Sequence, residues 1–296
     1  MNAFRYGSGG RWFKGNTHIH STASDGGKTI AELENMYAGK GYDFLCRTDH
    51  WVASDVRAEK RGPRKLLWLD GIELDGRDGQ GGQYHVVGLG TFRGVQRDMG
   101  FEAGLKVVRA QGGLLILAHP LWMGNTPEEV WRWKFDGVEI YNHVCQWLNG
   151  KGNNLAYWHF GLSQQPGMLA FAADDAHISA DHPGWNGAWI MVNARACTSK
   201  AILDAIRRGR YYSSCGPEFR SIEARGGQIT VRTSPVRFAR LVGPHWCGHR
   251  CGAFHGKLLT EATFPLPSDW PYAYVEIEDA RGRRAWTNTL RTGLSS

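Results

Sequence analysis

The chain has 296 residues, 42% of them apolar, and a formal net charge of +7. Apolar content is ordinary for a soluble globular protein, and no run approaches the ~18 apolar residues of a membrane helix. Six scattered cysteines, at 46, 145, 197, 215, 247 and 251, are too few for a disulfide scaffold and point to a reducing compartment; Cys46, Cys145 and Cys197 read as small buried hydrophobes.

The opening stretch, MNAFRYGSGGRWFKGN, has neither an apolar core nor a small-residue cleavage site, so no secretion leader is expected and cytoplasmic residence is the default. Residues 1–200 carry 21 Lys and Arg against 20 Asp and Glu, whereas residues 201–296 carry 14 against 8. That basic excess fits either an anionic partner or substrate or a solvated arginine-rich surface. No arginine run or basic helical stripe marks a nucleic-acid-binding element.

The first ~190 residues alternate strand-like and helix-like segments, the pattern of a parallel α/β fold. Tyr42–Cys46 reads as a strand ending in Thr48-Asp49-His50. Leu66–Leu69 with Gly71-Ile72 reads as another, ending near Glu73. A third runs from Tyr84 to Leu89 and carries His85. Leu114–Ala118 ends at His119-Pro120, Gly137–Asn142 repeats the form, and Met168–Ala172 ends in Asp174-Asp175-Ala176-His177. Helices are expected after Thr29 as N-cap, over Leu105 and Val108 up to Gly112-Gly113, after Thr126-Pro127-Glu128-Glu129, and from Thr198 to Arg210. Beyond about 216 the texture changes to alternating segments, 227–232 and 272–278, separated by glycine and proline. The expected organisation is a barrel over 1–216 and a small antiparallel β module over 217–296.

The chemistry concentrates at strand ends. His18 and His20, one residue apart, share a face of an extended segment, so both imidazoles can reach one cation. Asp25 follows across a polar loop and can turn back toward the same pocket. With His50, Glu73, His85, His119, Asp175 and His177 they make nine candidates at one barrel mouth, where α/β barrels place their active sites. Imidazoles and carboxylates crowded this closely would repel or desolvate one another unless cations held them, and such nitrogen and oxygen donors suit Zn, Mn or Fe.

These motifs resemble the PHP (polymerase and histidinol phosphatase) family of metal-dependent hydrolases, which are built on a distorted seven-stranded (β/α) barrel. The resemblance is carried by HIHSTASDG at 18–26, TDH at 48–50, GIELDG at 71–76, His85, AHP at 118–120 and DDAH at 174–177, and covers roughly residues 14–190. GNTHIHSTASDG, RRGRYYSSCGPE at 207–218 and AWTN at 285–288 resemble the CehA/McbA-like branch, some members of which hydrolyse aryl carbamates.

The resemblance implies two to three divalent ions per chain. His18, His20, Glu73 and Asp175 would hold the first. Glu73 would bridge to a second, completed by His85 and His119. Asp25, His50 and His177 would hold a third. Asp174 competes with Asp175, and the family's D-x-H spacing favours Asp175; Asp49 reads as an orienting residue. A water bridging two dications loses a proton near neutral pH and becomes the nucleophile, so Asp25 and Glu73 carry the catalysis. His182 is either the leaving group's proton donor or a plain loop histidine.

His143 and Arg47 contact substrate only if they face the mouth, and Trp51 and Trp122 either wall an aromatic substrate pocket or pack. The Cys/His segment from His245 to His255 lacks a C-x₂-C pair and reads as a loop rather than a zinc site. Phosphoester hydrolysis of a small-molecule substrate ranks first, aryl carbamate or carboxylic ester hydrolysis second. An oligonucleotide exonuclease and a non-enzymatic metal-binding domain rank below them. No membrane or nucleic-acid partner is expected, and the oligomeric state is not legible.

Overall fold

The computed structural model describes residues 3–6, 9–53, 55–56 and 66–292, so the extreme ends of both expected segments lie outside the described residues. Chain order begins with β1 (Ala3–Phe4), β2 (Arg11–Asn16), α1 (Ile30–Ala38), β3 (Phe44–Arg47), β4 (Leu67–Arg77) and β5 (Gln83–Leu89). Then come α2 (Phe101–Ala110), β6 (Leu114–Leu117), α3 (Pro120–Met123), α4 (Pro127–Arg132), β7 (Gly137–Asn142), α5 (His143–Asn149), α6 (Leu155–Gln164) and β8 (Leu169–Ala173). The first part closes with β9 (Trp189–Ala194), α7 (Ser199–Arg207) and β10 (Tyr211–Ser214). The remainder is all strand: β11 (Phe219–Arg225), β12 (Gln228–Val236), β13 (Phe238–Val242), β14 (Gly248–Gly252), β15 (Leu259–Pro265), β16 (Tyr274–Glu278), β17 (Arg284–Thr287) and β18 (Arg291–Thr292). No described helix is long and apolar enough to cross a membrane.

The four expected helices form where the sequence marks them. Thr29 and Glu32 make a reciprocal capping box at the start of α1, and Thr126 with Glu129 does the same for α4. The short helices α3 and α5 are each closed by a left-handed glycine, Gly124 or Gly150, and opened by Pro120 at the first position of α3 and by Asn142, which accepts from Cys145 N, at the N-cap of α5.

Thirteen strands form one sheet in the order β14-β13-β16-β17-β10-β9-β2-β3-β4-β5-β6-β7-β8, and β11, β12 and β15 form a second. The fold is therefore mixed α/β. Two departures from the expected barrel have physical causes. First, β5 runs antiparallel to both its neighbours, β4 and β6: the 78–82 turn after β4 is too short for a parallel crossover, and the longer 90–113 connection through α2 brings β6 back to the direction of β4. Second, the described sheet does not close. β8 meets the continuation of β2 through a single bridge, Ile19 to Ala176, flanked by hydrogen bonds from Asp175 N to His18 O and from His20 N to Ala176 O, both 3.0 Å. Side chains serve β8 in place of a strand: Ala170 N donates to Asn288 Oδ1 (2.8 Å), and Ser213 Oγ donates to Ala170 O (2.9 Å). Strands after 216 are antiparallel as expected, and four of them (β13, β14, β16 and β17) continue the main sheet.

Period-two alternation sorts the strands' faces. One face stacks Leu69, Val87, Leu89, Ile116, Leu169 and Phe171 against Ile202 and Ile206 of α7. The other face, with Ile72, Leu74, Tyr84, Val86 and Val138, packs on Leu105, Val108, Val130 and Trp158 of the helices. Glu73 and His85 share the parity of Leu69 and Val87, so they continue the first face one step above its apolar stack.

Candidate metal centre

The nine donors come from six strands and the loops that follow them. His18 and His20 follow β2, Asp25 sits in the loop after them, and His50 follows β3. Glu73 lies within β4, which runs on to Arg77, rather than at a strand end as expected. His85 enters near the start of β5 because that strand runs antiparallel and begins at the mouth. His119 follows β6; Asp175 and His177 follow β8. Trp51, His119, Asp175 and Ile178 all have positive φ, a conformation that costs free energy in non-glycine residues and clusters where function constrains the chain.

The structure gathers these side chains into three groups of donor atoms: His18, His20, Glu73 and Asp175; His50, Glu73 and His85; and His20, Asp25, His50 and His177. Adjacent groups share a residue, His20, Glu73 or His50. In the first, His18 Nε2 and His20 Nε2 are 3.1 Å apart, and each lies 3.1–3.2 Å from Glu73 Oε2 and Asp175 Oδ1. Ligands around one ion at about 2.1 Å would be ~3.0–3.4 Å apart, so these atoms fit a divalent cation.

In the second group His85 Nδ1 is 2.8 Å from Glu73 Oε1 and His50 Nε2 is 3.3 Å from Glu73 Oε2. His119, expected here, stands slightly farther off, with Nε2 3.5 Å from Glu73 Oε1 and 3.7 Å from Asp175 Oδ2. In the third, His177 Nε2 lies 3.3 Å and His50 Nε2 3.7 Å from Asp25 Oδ2, and His20 Nδ1 lies 3.4 Å from Asp25 Oδ1.

Electrostatics describe a site short of positive charge. Burial, the largest influence on Glu73 and Asp175, favours their neutral forms. The surrounding histidines, His18 foremost, nevertheless hold both well below the ordinary carboxylate range. Burial likewise opposes charge on His20, yet hydrogen bonds to Asp175 and Glu73 lift its pKa to about 10; His18 and His85 are also raised, by Asp175 and Glu73 respectively. These opposed shifts mark a place where the carboxylates call for positive charge, the role a bound cation would fill.

Supporting residues fix the rings. His18 Nδ1 donates to Glu139 Oε1 at 2.7 Å, and His177 Nδ1 donates to the Asp175 carbonyl at 2.9 Å, leaving both Nε2 atoms free to face the donors. His50 Nδ1 lies 2.9 Å from Asp75 Oδ1, and Asp75 is clamped by both terminal nitrogens of Arg97. Asp49 accepts from Ser21 N, Ser21 Oγ and Ser24 Oγ, so it orders the loop that carries Asp25. A Cβ on Gly26 would come within 2.3 Å of the His20 carbonyl oxygen, which explains glycine at the close of that loop. Glu139 and Asp75 carried no sequence signal beyond being carboxylates inside apolar strands.

Asp174 is buried away from the donors, accepting from Tyr37 Oη and the Asn186, Gly187 and Ala188 amides. Arg47 is buried beside Asp49 at 3.6 Å and does not reach the mouth. Trp51 is buried over Gly104, its indole donating to the Asp75 carbonyl. Trp122, 38% exposed, does line the metal cavity with Leu148, Ser179 and His182; the space is about 370 Å³. The His182 ring lies 5.7 Å from that of His177. His143 faces a different cavity. Among the described residues, no metal-binding group forms in the 245–255 segment, where Trp246 is 92% exposed.

Fold and donors together define an α/β protein whose strand termini assemble a nitrogen- and oxygen-rich divalent-cation site. No protein-family model matches the sequence, and no curated protein matches it either. Among solved structures, the chain is similar to a two-domain protein from Bacteroides vulgatus containing a predicted PHP-like metal-dependent phosphoesterase, with TM-score 0.55, 14% identity and 98% of each chain covered. A predicted metal-dependent phosphoesterase from Bifidobacterium adolescentis matches 68% of this chain and 98% of its own at TM-score 0.46 and 12% identity. An amidohydrolase from Chromobacterium violaceum matches 67% and 96% at TM-score 0.41 and 15% identity. The Bacteroides likeness spans both halves of this chain and establishes a shared fold.

Proposed function

We propose that the protein is a metal-dependent hydrolase of the PHP family, nearest its CehA/McbA-like branch, with phosphoesters as its first substrate class. The observation that carries this reading is the linkage of three donor groups through His20, Glu73 and His50 at the floor of one cavity. In this reading His18, His20, Glu73 and Asp175 hold one ion, Glu73, His85 and His119 a second, and Asp25, His50 and His177 a third, because His50 Nε2 has one lone pair and can serve only one ion. Divalent cations bound there supply Lewis acidity to a phosphoryl or carbonyl oxygen and lower the pKa of an attacking water.

The chain's own residues do the rest. Glu73 spans two groups with its two oxygens, and the fully buried His18 and His20 fix the floor. Asp25, its side chain 53% exposed, closes the solvent side. His182, on the cavity wall, delivers a proton to the leaving group.

A second reading, aryl ester or carbamate hydrolysis, is favoured by Trp122, Val144 and Leu148 on the cavity rim, and by the lack of any Lys or Arg lining it among the described residues. That lack counts against an oligonucleotide exonuclease, which needs a basic track leading to the metals.

Elemental analysis of the purified protein, followed by parallel assays with p-nitrophenyl phosphate, a short oligonucleotide and 1-naphthyl esters and carbamates, separates these readings. Two to three ions per chain and phosphatase turnover abolished by His20→Ala and by Asp25→Asn are expected. Robust naphthyl-ester turnover with inert phosphates selects the second reading. Fewer than two ions after loading with Mn or Zn overturns the multinuclear site.

A further inference from the structure

A second cavity, about 650 Å³, lies across α5 from the metal cavity: His143 and Gln146 of that helix line it, whereas Val144, Cys145 and Leu148 line the other. Lys14, Lys40, Arg281, Arg283 and Arg284 all line this space, and among the described residues no Asp or Glu does. Arg283 is held by Asp279, and Arg284 by Glu276 and Glu278. Lys14, Lys40 and Arg281 have no carboxylate within ion-pair distance among the described residues. Three cations without an ion-pair partner among the described residues thus border one concave space of the size that small ligands occupy.

Lys14 is held in place rather than waving in solvent. Its ammonium sits between the rings of Tyr42 and Trp189, 4.0 and 4.1 Å from their centroids. It donates to the Lys40 carbonyl at 3.3 Å and to Asn186 Oδ1 at 3.4 Å. An ammonium has three donors, so one remains for a ligand. Burial, outweighing the attraction of Asp174, pulls this pKa down to about 8, as for a cation still lacking its counter-charge. Tyr141 and Trp286 add apolar wall.

We propose that this cavity binds a small organic anion, its phosphate or carboxylate seated on Lys14, Lys40 and Arg281 and its apolar part against Tyr141 and Trp286, separately from the metal centre.

Calorimetric titration of the full chain with adenosine monophosphate, citrate and inorganic phosphate tests the assignment, in metal-loaded and chelated protein. At least one probe is expected to bind saturably in both forms and more weakly as salt is raised. Preference for the nucleotide over citrate identifies a phosphate site; the reverse identifies a carboxylate site. Arg281→Ala, at an exposed position, and Lys14→Gln should each weaken binding about tenfold or more, the loss of one charge-assisted hydrogen bond, while turnover at the metal centre stays unchanged. Absence of saturable binding by all three probes overturns the proposal. So does unchanged affinity in both variants, or binding that disappears on chelation.

Discussion

Glu139 Oε1 accepts a 2.7 Å hydrogen bond from His18 Nδ1, and its other oxygen accepts from the His119 amide and Asn142 Nδ2. One buried carboxylate from β7 therefore sets the tautomer of one donor and the backbone position of another. Replacing it with the isosteric amide keeps the volume and removes the charge that makes His18 Nε2 a good ligand. Glu139→Gln is expected to weaken metal binding by about 10- to 100-fold. Chelator-competition titration measures this, with circular dichroism as the check on fold; undiminished affinity would remove Glu139 from the site.

The metal-free protein should be destabilised by alkali. Folding raises the pKa of His20 from 6.5 to about 10. A group raised in this way adds stability that is complete below its unfolded value of about 6.5 and disappears as the pH climbs through the folded one. His18 and His85 act in the same direction. Glu73, Asp25 and Asp175 are depressed, so their contribution is present above about pH 4 and fails only in acid. Urea midpoints of chelated protein should therefore fall between about pH 7 and pH 9.5. With cations bound the imidazoles are neutral ligands throughout that range, and the loaded protein should hold its midpoint. Parallel declines in the two forms would contradict the assignment.

Much of this site was legible because a nitrogen- and oxygen-donor metal site draws chiefly on His, Asp and Glu, and because period-two strands aim alternate residues at one face. H-x-H, D-x-H and the strand-end histidines announce themselves for that reason. The supporting contacts do not. Glu139 and Asp75 look like any carboxylate in a strand until the register brings them to His18 and His50. The antiparallel turn at 78–82 was legible in principle from its length, yet strand–helix alternation elsewhere suggested a uniformly parallel sheet. The open edge of β8 was invisible, because the side chains that serve it, Ser213 and Asn288, come from distant points in the sequence.

Trp122 should set substrate preference without supporting the fold. Its ring centroid lies 5.3 Å from that of His119 and 6.1 Å from that of His85, over the cavity mouth. At 38% exposure its removal should shift stability by no more than about 0.5 kcal/mol. Losing an aromatic contact worth about 1 kcal/mol should raise KM for 1-naphthyl substrates about fivefold. KM for a small alkyl substrate should stay unchanged. A uniform change in kcat across both would place Trp122 in support of His119 instead.

Asn288 tests whether side chains substitute for the missing strand beside β8. It is buried, its Oδ1 accepting from Ala170 N at 2.8 Å and its Nδ2 donating to the Tyr211 carbonyl at 3.0 Å. Asn288→Ala strands the buried Ala170 amide, whereas the Tyr211 carbonyl keeps the Tyr6 hydroxyl at 2.7 Å, so a loss of about 1–3 kcal/mol is expected in denaturant titrations. Ser213→Ala removes the hydroxyl donor to the buried Ala170 carbonyl and should also cost about 1–3 kcal/mol. β8 ends two residues before Asp175, so the Asn288 variant should also bind metal more weakly, whereas an exposed substitution of equal cost elsewhere should not. A loss below about 0.5 kcal/mol in Asn288→Ala would mean that β8 is held by its pairing with β7 alone.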